Sequence, residues 1–313
     1  MLDLIIIGSA AAGSSAAIYA ARRKLNFKVV TLDVGGEVAL CGTVKNWPGT
    51  LEIQGYELAQ NFHAHAKSYD IDFEIGWKVE KIESKEKTHI VYCKNSDGKE
   101  QSFEAKAIII ATGIHPRHLE VPRENELYQK GVTYCTVCDG PLFKGKVTAT
   151  VGSGNAALES ALMMSNIASK VYLISKYADD PTLNGGFPKG EKILVDKVKE
   201  ISNIEIIYSA QTTAFVGDTN ITGLKYNDVA GSEHEIAVQG IMVHAGQIPN
   251  SQFIDTVEKN KIGEIVVDAK CRTNVPGILA AGDVTNIPYK QLGIASGQGI
   301  IAALSAIEYI NRW

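Results

Sequence analysis

The chemistry in this chain is concentrated in Cys135-Thr136-Val137-Cys138-Asp139-Gly140. Two cysteines two residues apart can close a small disulfide ring, and where such a turn runs into a helix, the helix N-terminus and a nearby acid tune the thiolates. A zinc half-site or a pair of inert buried cysteines would show the same spacing. Zinc needs a second ligand pair, however, and Cys41, Cys93 and Cys271 are scattered, with no second C-x-x-C. The spacing therefore predicts a redox pair and no metal site.

Glycine turns at two places supply the elements that must position such a pair. Leu4-Ile5-Ile6-Ile7 reads as a buried parallel strand entering Gly8-Ser9-Ala10-Ala11-Ala12-Gly13, followed by a small-residue helix from Ser14 to Arg22 and a strand from Lys28 to Leu32 that ends at Asp33. This is a dinucleotide fingerprint: glycines admit a pyrophosphate, the helix N-terminus attracts its charge, and the acid meets ribose hydroxyls. Ala10 stands at the middle glycine. The pattern recurs as a strand from Lys146 to Val151, Gly152-Ser153-Gly154-Asn155-Ala156-Ala157, a helix to about Ala168 and a strand from Lys170 to Ile174. Here Ser175-Lys176-Tyr177 replaces the terminal acid, and there is no arginine cluster for a 2′-phosphate.

Between and after these units, Gly35 to Gly49 reads as a ligand-wrapping loop and Gly55 to Ser68 as a helix. Phe73 to Cys93 and Ser102 to Ala105 read as an antiparallel meander with a hairpin at Asn95-Ser96-Asp97-Gly98, and Ala107 to Ile110 as a separate buried strand. His115 and His118 are expected to be solvated loop histidines. Gly277 to Asp283 ends a buried strand in Gly-Asp, and an apolar helix from about Gly293 to Tyr309 closes the sequence.

Composition narrows the class. At 313 residues, with 45% hydrophobic and 21% charged residues, the chain can form two ordinary globular cores. A formal charge of −4 leaves no footprint for nucleic acid. The N-terminal apolar stretch is short, contains Asp3 and lacks a basic lead, so no signal peptide is expected; no apolar run is expected to span a bilayer, and the expected location is cytoplasmic.

Taken in order, these motifs resemble low-molecular-weight thioredoxin reductase, within the class II pyridine nucleotide-disulfide oxidoreductases. The resemblance covers essentially the whole chain and rests on Gly8 to Gly13, Asn46-Trp47-Pro48-Gly49, Ala111-Thr112-Gly113, the Cys135–Gly140 segment, Gly152 to Ala157, Gly246 to Asn250, and Ala281-Gly282-Asp283 with Gln291. It implies an α/β fold of two Rossmann-like dinucleotide-binding domains (three-layer ββα), the second inserted in the first: residues 1–115 and 245–313 for FAD, and 116–244 for a nicotinamide nucleotide and the cysteine pair. The residues implied for FAD are Gly8, Ala10, Ala12, Gly13, Asp33, Gly36, Glu37, Thr43, Asn46, Val79, Ala111, Thr112, Gly113, Gly282, Asp283, Gln291 and Leu292. Those implied for NADPH or NADH are Gly152, Gly154, Asn155, Ala156, Glu159, Ser175 and Lys176.

By the same resemblance, Cys138 faces the flavin, Cys135 attacks a disulfide of thioredoxin or a thioredoxin-like protein, and Asp139 handles the thiol proton. The family is usually a homodimer and rotates one domain against the other. NADPH-using members carry a histidine and arginines where this chain has Ser175-Lys176-Tyr177. That departure opens NADH or reduced ferredoxin as donor, as in a ferredoxin-dependent flavin thioredoxin reductase. A ferredoxin–NADP reductase-like flavoprotein would lack the cysteine pair, and a non-catalytic flavin module would need neither cysteine nor Asp139.

Overall fold

The computed structural model describes residues 1–41 and 43–313, and the chain divides into two compact units: Met1–His115 with Ile248–Trp313, and Pro116–Gln247. The return crossing falls at Gln247, three residues beyond the 244 expected from the sequence.

In the first unit a parallel sheet runs Phe73–Ile75, Phe27–Thr31, Leu2–Ile7 and Glu100–Ile110, with Ile278–Ala280 parallel to the last of these. Leu4, Ile5, Ile6 and Ile7 are buried on both faces, which explains their unbroken apolar run. Two details depart from the sequence reading. Phe73–Ile75 joins the parallel sheet beside Phe27–Thr31 rather than the antiparallel meander. Glu100–Ile110 is one eleven-residue strand: its first half is antiparallel to His89–Asn95 and its second half parallel to Leu2–Ile7, since Lys106 offers no break between them.

Helices Ala11–Arg22 and Leu292–Ile310 cover one face of this sheet, packed through Ala12, Ala16, Ala20, Ala302, Ala303 and Ala306. The closing helix, at 19 residues, is long and apolar enough to cross a membrane by length and composition alone. Its alanine face is nevertheless buried here, with Ala302, Ala303 and Ala306 fully enclosed.

The second unit repeats the design. Val132–Thr133, Gly240–Val243, Val147–Val151, Lys170–Ile174 and Ile204–Ile207 form a five-stranded parallel sheet, next to an antiparallel sheet of Gln211–Gly217, Ile221–Asn227 and Glu233–Ala237. The last of these strands is not legible in the sequence; its EHEIA pattern is mostly exposed and gives no core-facing alternation. Both units are Rossmann-like, as expected.

The contact between the two helices of the first unit leaves no spare volume. A Cβ on Gly299 would stand 2.1 Å from the Ala12 carbonyl oxygen, a backbone atom that cannot swing away. Gly299→Ala is expected to force the helices apart and to lower stability by about 1–3 kcal/mol, the usual cost of overpacking. The denaturant midpoint, read with an unchanged slope, measures this; a midpoint equal to wild type would show that the interface has slack.

Candidate active site

The edge strand Val132–Thr133 delivers the chain to the cysteine turn. After Tyr134, Cys135 caps the one-turn helix Thr136–Asp139, its sulfur accepting the Cys138 amide at 3.3 Å. The two cysteines form a disulfide with Cα atoms 5.3 Å apart, so two of the three expected catalytic residues are covalently joined and Asp139 follows directly. The Thr133 hydroxyl accepts the Cys135 N–H at 3.1 Å and donates to Asp139 Oδ2, fixing the acid against the turn. Thr136, between the cysteines, has its hydroxyl 2.6 Å from Ser160 Oγ and 2.8 Å from His244 Nε2. On Gly140 a Cβ would come within 3.0 Å of the Met164 sulfur, so the turn lies closely on helix Asn155–Ser165.

The other described thiols are placed differently. Burial pushes Cys93 up to about 12 and Cys271 up to about 11, so both stay protonated at neutral pH. His115 is not the free loop residue expected: its Nδ1 lies 2.7 Å from Asn250 Oδ1. His118 is exposed, beside the Tyr134 hydroxyl at 3.0 Å.

In the first unit the glycine turn draws distant residues together. Gly8 sits at φ +105°, and a Cβ there would lie 2.3 Å from the Ala111 oxygen; one on Gly13 would lie 1.9 Å from the Gly8 oxygen; one on Gly282 would meet the Ala12 Cβ at 3.0 Å. Ala10 has φ −79°, an ordinary value, so its methyl costs no backbone strain. The N-terminus of helix Ala11–Arg22 has neither a side-chain cap nor an acidic residue in its first turn, which leaves its amides and positive end for an anion.

Two acids stand at strand ends of this unit, Asp33 after Phe27–Thr31 and Asp283 after Ile278–Ala280. Hydroxyls of Ser9 and Thr31 hold the Asp33 carbonyl, while Asp33 Oδ1 accepts the Gly36 N–H at 2.9 Å. Asp283 follows Gly282, whose N–H donates to Gln298 Oε1 at 2.8 Å. Burial raises the Asp283 carboxyl above its ordinary range, with Lys290 pulling it back, and among the described residues it has no hydrogen-bond partner.

Two further clusters complete this unit. Asn46 Nδ2 donates to Gln291 Oε1 at 3.1 Å across 245 residues of sequence, and Leu292 packs on the small core of Val38, Val44, Leu58 and Ala59. Thr112 and Asn250 exchange hydrogen bonds at 2.6 and 2.9 Å, and Asn250 N–H binds the Gly113 carbonyl at 3.0 Å. Gly36 lies 3.7 Å from the Ala10 Cβ as measured from its own ideal Cβ, Glu37 opens the short helix Glu37–Leu40, and Thr43 accepts a bond from Gln54 at 3.0 Å. Val79 stands apart: its side chain is buried with Ile82 and Val91, so only its main chain is left to meet a ligand.

The second glycine turn has the same strain but a different neighbourhood. Gly152 sits at φ +153°, with space for a Cβ closed by the His244 oxygen at 2.5 Å. Asn155 and Glu191 are doubly bonded: the Glu191 N–H donates to Asn155 Oδ1 at 2.7 Å, and Asn155 Nδ2 donates to Glu191 Oε1 at 3.0 Å. Gly154 forms a main-chain bridge with Lys189. Ser175, expected to offer a hydroxyl to a ribose, is instead wholly buried; its Oγ donates to the Gly186 carbonyl at 2.6 Å and lies 3.0 Å from Ser153 Oγ. Lys176 is exposed, its ammonium 5.3 Å from the Tyr177 ring centre, and Ala156 and Glu159 are exposed on the helix.

A parallel sheet with a glycine cradle, an uncapped helix N-terminus and acids at the strand ends, together with a second Rossmann-like unit bearing a disulfide beside an acid, defines a dinucleotide-binding oxidoreductase of the flavin disulfide type. The model of the family described as "Pyridine nucleotide-disulphide oxidoreductase" matches residues 2–300, and the chain belongs to that family, whose thioredoxin reductase branch binds FAD. It is 38% identical over 320 residues to the F subunit of alkyl hydroperoxide reductase from Escherichia coli (strain K12), covering 99% of this chain and 58% of that one. The chain thus spans somewhat over half the length of the curated relatives it matches. The solved thioredoxin reductase from Streptococcus pyogenes MGAS5005 superposes with a TM-score of 0.83 at 30% identity, over 100% of this chain and 99% of that one. Thioredoxin reductase of T. acidophilum gives 0.69 at 36% identity, over 99% and 98%.

Sequence reasoning missed Thr133, Ser160 and His244. Thr133 does carry a local signal: it sits two residues before the first cysteine, a spacing at which a hydroxyl can accept the amide two residues on. His244 has none, since its partner lies 108 residues away.

Burial holds the His244 imidazole down at about 4, below its ordinary value of 6.5. The unfolded chain therefore binds more protons between those values, so stability is complete above about pH 6.5 and is lost as pH falls toward 4, by up to about 3 kcal/mol. Urea midpoints from pH 7.5 to 4 should fall more steeply for wild type than for His244→Gln; parallel curves would show that the imidazole is not held neutral.

Proposed function

We propose that this chain is an FAD-dependent protein-disulfide reductase that passes electrons through Cys135 and Cys138 to thioredoxin or a thioredoxin-like protein. The observation that carries this reading is the closed Cys135–Cys138 turn with Asp139 held beside it by Thr133. In the first unit, the Gly8 turn, the amides opening helix Ala11–Arg22, Asp33, Asp283 and the Asn46–Gln291 pair would hold FAD. Bound there, FAD supplies the electron pair that opens the disulfide.

The chain's own groups carry the rest. The Cys135 thiolate attacks one sulfur of the partner's disulfide; a Cys135–partner bond forms, the partner's sulfur–sulfur bond breaks, and the released partner thiolate takes a proton from Asp139. The Cys138 thiolate then attacks the Cys135 sulfur, restoring the closed turn and freeing the partner's second thiolate. The helix turn favours a thiolate at its N-terminal end, where the Cys135 sulfur already accepts the Cys138 amide. A second reading is favoured by the identity to the F subunit of alkyl hydroperoxide reductase: the accepting disulfide belongs to a peroxide-reducing partner.

Cys135→Ser and Cys138→Ser should each retain flavin and lose disulfide reduction by at least a hundredfold, checked by anaerobic reduction of the flavin with dithionite followed by transfer to oxidised thioredoxin. Transfer at the wild-type rate in either variant would refute the assignment.

The donor reading follows from the second turn. The exposed Glu191 carboxylate is paired with the side chain of Asn155, the first residue of helix Asn155–Ser165, and Ser175 is spent inside the fold. An acid there competes with a pyrophosphate, and Lys176 offers one exposed, strongly hydrated charge in place of a bidentate arginine fork. NADPH is proposed to bind weakly, with little preference over NADH, while reduced ferredoxin remains competent. Flavin bleaching followed in parallel with NADPH, NADH and reduced ferredoxin tests this; half-saturation by micromolar NADPH with strong discrimination against NADH would overturn it.

A further inference from the structure

The cysteine turn is anchored at a point that the thiol chemistry itself does not use. Thr136 lies between the two cysteines and is buried, and its hydroxyl is bracketed by Ser160 Oγ at 2.6 Å and His244 Nε2 at 2.8 Å. Ser160 belongs to helix Asn155–Ser165. His244 follows strand Gly240–Val243, where its amide donates to the Val151 carbonyl at 2.8 Å. One hydroxyl thus ties the turn both to a helix and to the end of strand Gly240–Val243. The imidazole is kept neutral by burial, so it can hold Thr136 as a hydrogen-bond partner without a counter-charge.

We propose that His244 is a positioning residue for the redox pair, acting through the Thr136 hydroxyl to keep Cys135 and Cys138 at closing distance when the disulfide is open. The anchor matters most in the dithiol. While the sulfur–sulfur bond exists, it fixes the turn by itself. Once two electrons and two protons have opened it, the one-turn helix Thr136–Asp139 is far too short to persist alone. What then holds the two thiols facing each other is the anchoring of the residue between them. Holding two groups in near-attack geometry is what gives an intramolecular reaction its high effective concentration. A chain that loses the anchor keeps both thiols but closes the ring less readily, and the disulfide becomes easier to reduce.

His244 is suited to this role by where it sits. Its carbonyl walls the Gly152 turn, so the backbone that shapes the second dinucleotide turn also fixes the imidazole that holds Thr136. Glutamine can present an amide in roughly the same place; alanine cannot.

This inference rests on Cys135–Cys138 being the redox pair, and the test separates the two. The flavin-loaded full chain is equilibrated in glutathione buffers of graded ratio, and the free thiols at Cys135 and Cys138 are counted by alkylation and mass. His244→Ala should shift the equilibrium about tenfold toward the dithiol, equivalent to about 30 mV for a two-electron couple. His244→Gln should stay within about twofold of wild type. Thr136→Val should match His244→Ala, and the double variant should add nothing further. Variants are compared only where far-ultraviolet dichroism matches wild type; if His244→Ala does not fold, Thr136→Val against His244→Gln decides. Equilibria within twofold for Thr136→Val, or an additive double variant, would overturn the proposal. A wild-type pair that cannot be reversibly reduced at all would instead overturn the redox assignment beneath it.

Discussion

The first unit depends on backbone approaching backbone where side chains would normally stand. Gly8, Gly13 and Gly299 each lie where a Cβ would be 1.9–2.3 Å from a carbonyl oxygen. No rotamer change relieves such contacts, because the opposing atom belongs to the main chain. Removing those side chains lets the strand, its turn and two helices meet closely enough for alanine faces to fill the interior. The same closeness brings an uncapped helix N-terminus, the Ala111-Thr112-Gly113 strand end and the Gly282-Asp283 corner together. This close packing joins residues as far apart in sequence as Gly8 and Gly299.

The two dinucleotide turns show that a motif and its use are separable. Gly152 repeats the geometry of Gly8, and helix Asn155–Ser165, like helix Ala11–Arg22, has no side-chain cap. The difference lies in what faces each turn. The first is met by acids without full complements of protein partners, suited to hydroxyls. The second is met by its own chain: Asn155 is paired with Glu191, Gly154 with Lys189, and Ser175 with Gly186. Polar groups already satisfied by protein gain little from a ligand and must first give up what they have.

This contrast explains what was legible in the sequence. The glycine turns, the parallel strands and the order of motifs were readable because each is local: period, small residues and turn chemistry all lie within about thirty residues. The glycine at the middle position was less informative than it looked. Ala10 and Gly154 both have negative φ in the extended region, so neither backbone requires glycine. The split of residues 100–110 into two strands failed because burial changes along a single strand as its neighbours change from antiparallel to parallel. The burial of Ser175 was not legible because the chain returns to it from residues 178–190, and no spacing within the motif announces that return. Asn46 with Gln291 and Thr112 with Asn250 were named from the resemblance, but that they bond to each other is a fact of tertiary structure.

The cysteine turn divides its labour among hydroxyls. Thr133 holds the acid and the Cys135 amide, while Thr136 holds the turn to its helix and strand. One threonine thus positions the acid, the other the residue between the two cysteines. A hydroxyl suits both tasks because it donates and accepts at once and carries no charge to disturb the thiolate. Charged anchors in the same places would shift the thiol equilibrium whenever they moved. Buried neutral ones can hold the geometry through a full cycle of opening and closing, and leave Asp139 as the acid adjoining the sulfurs in sequence.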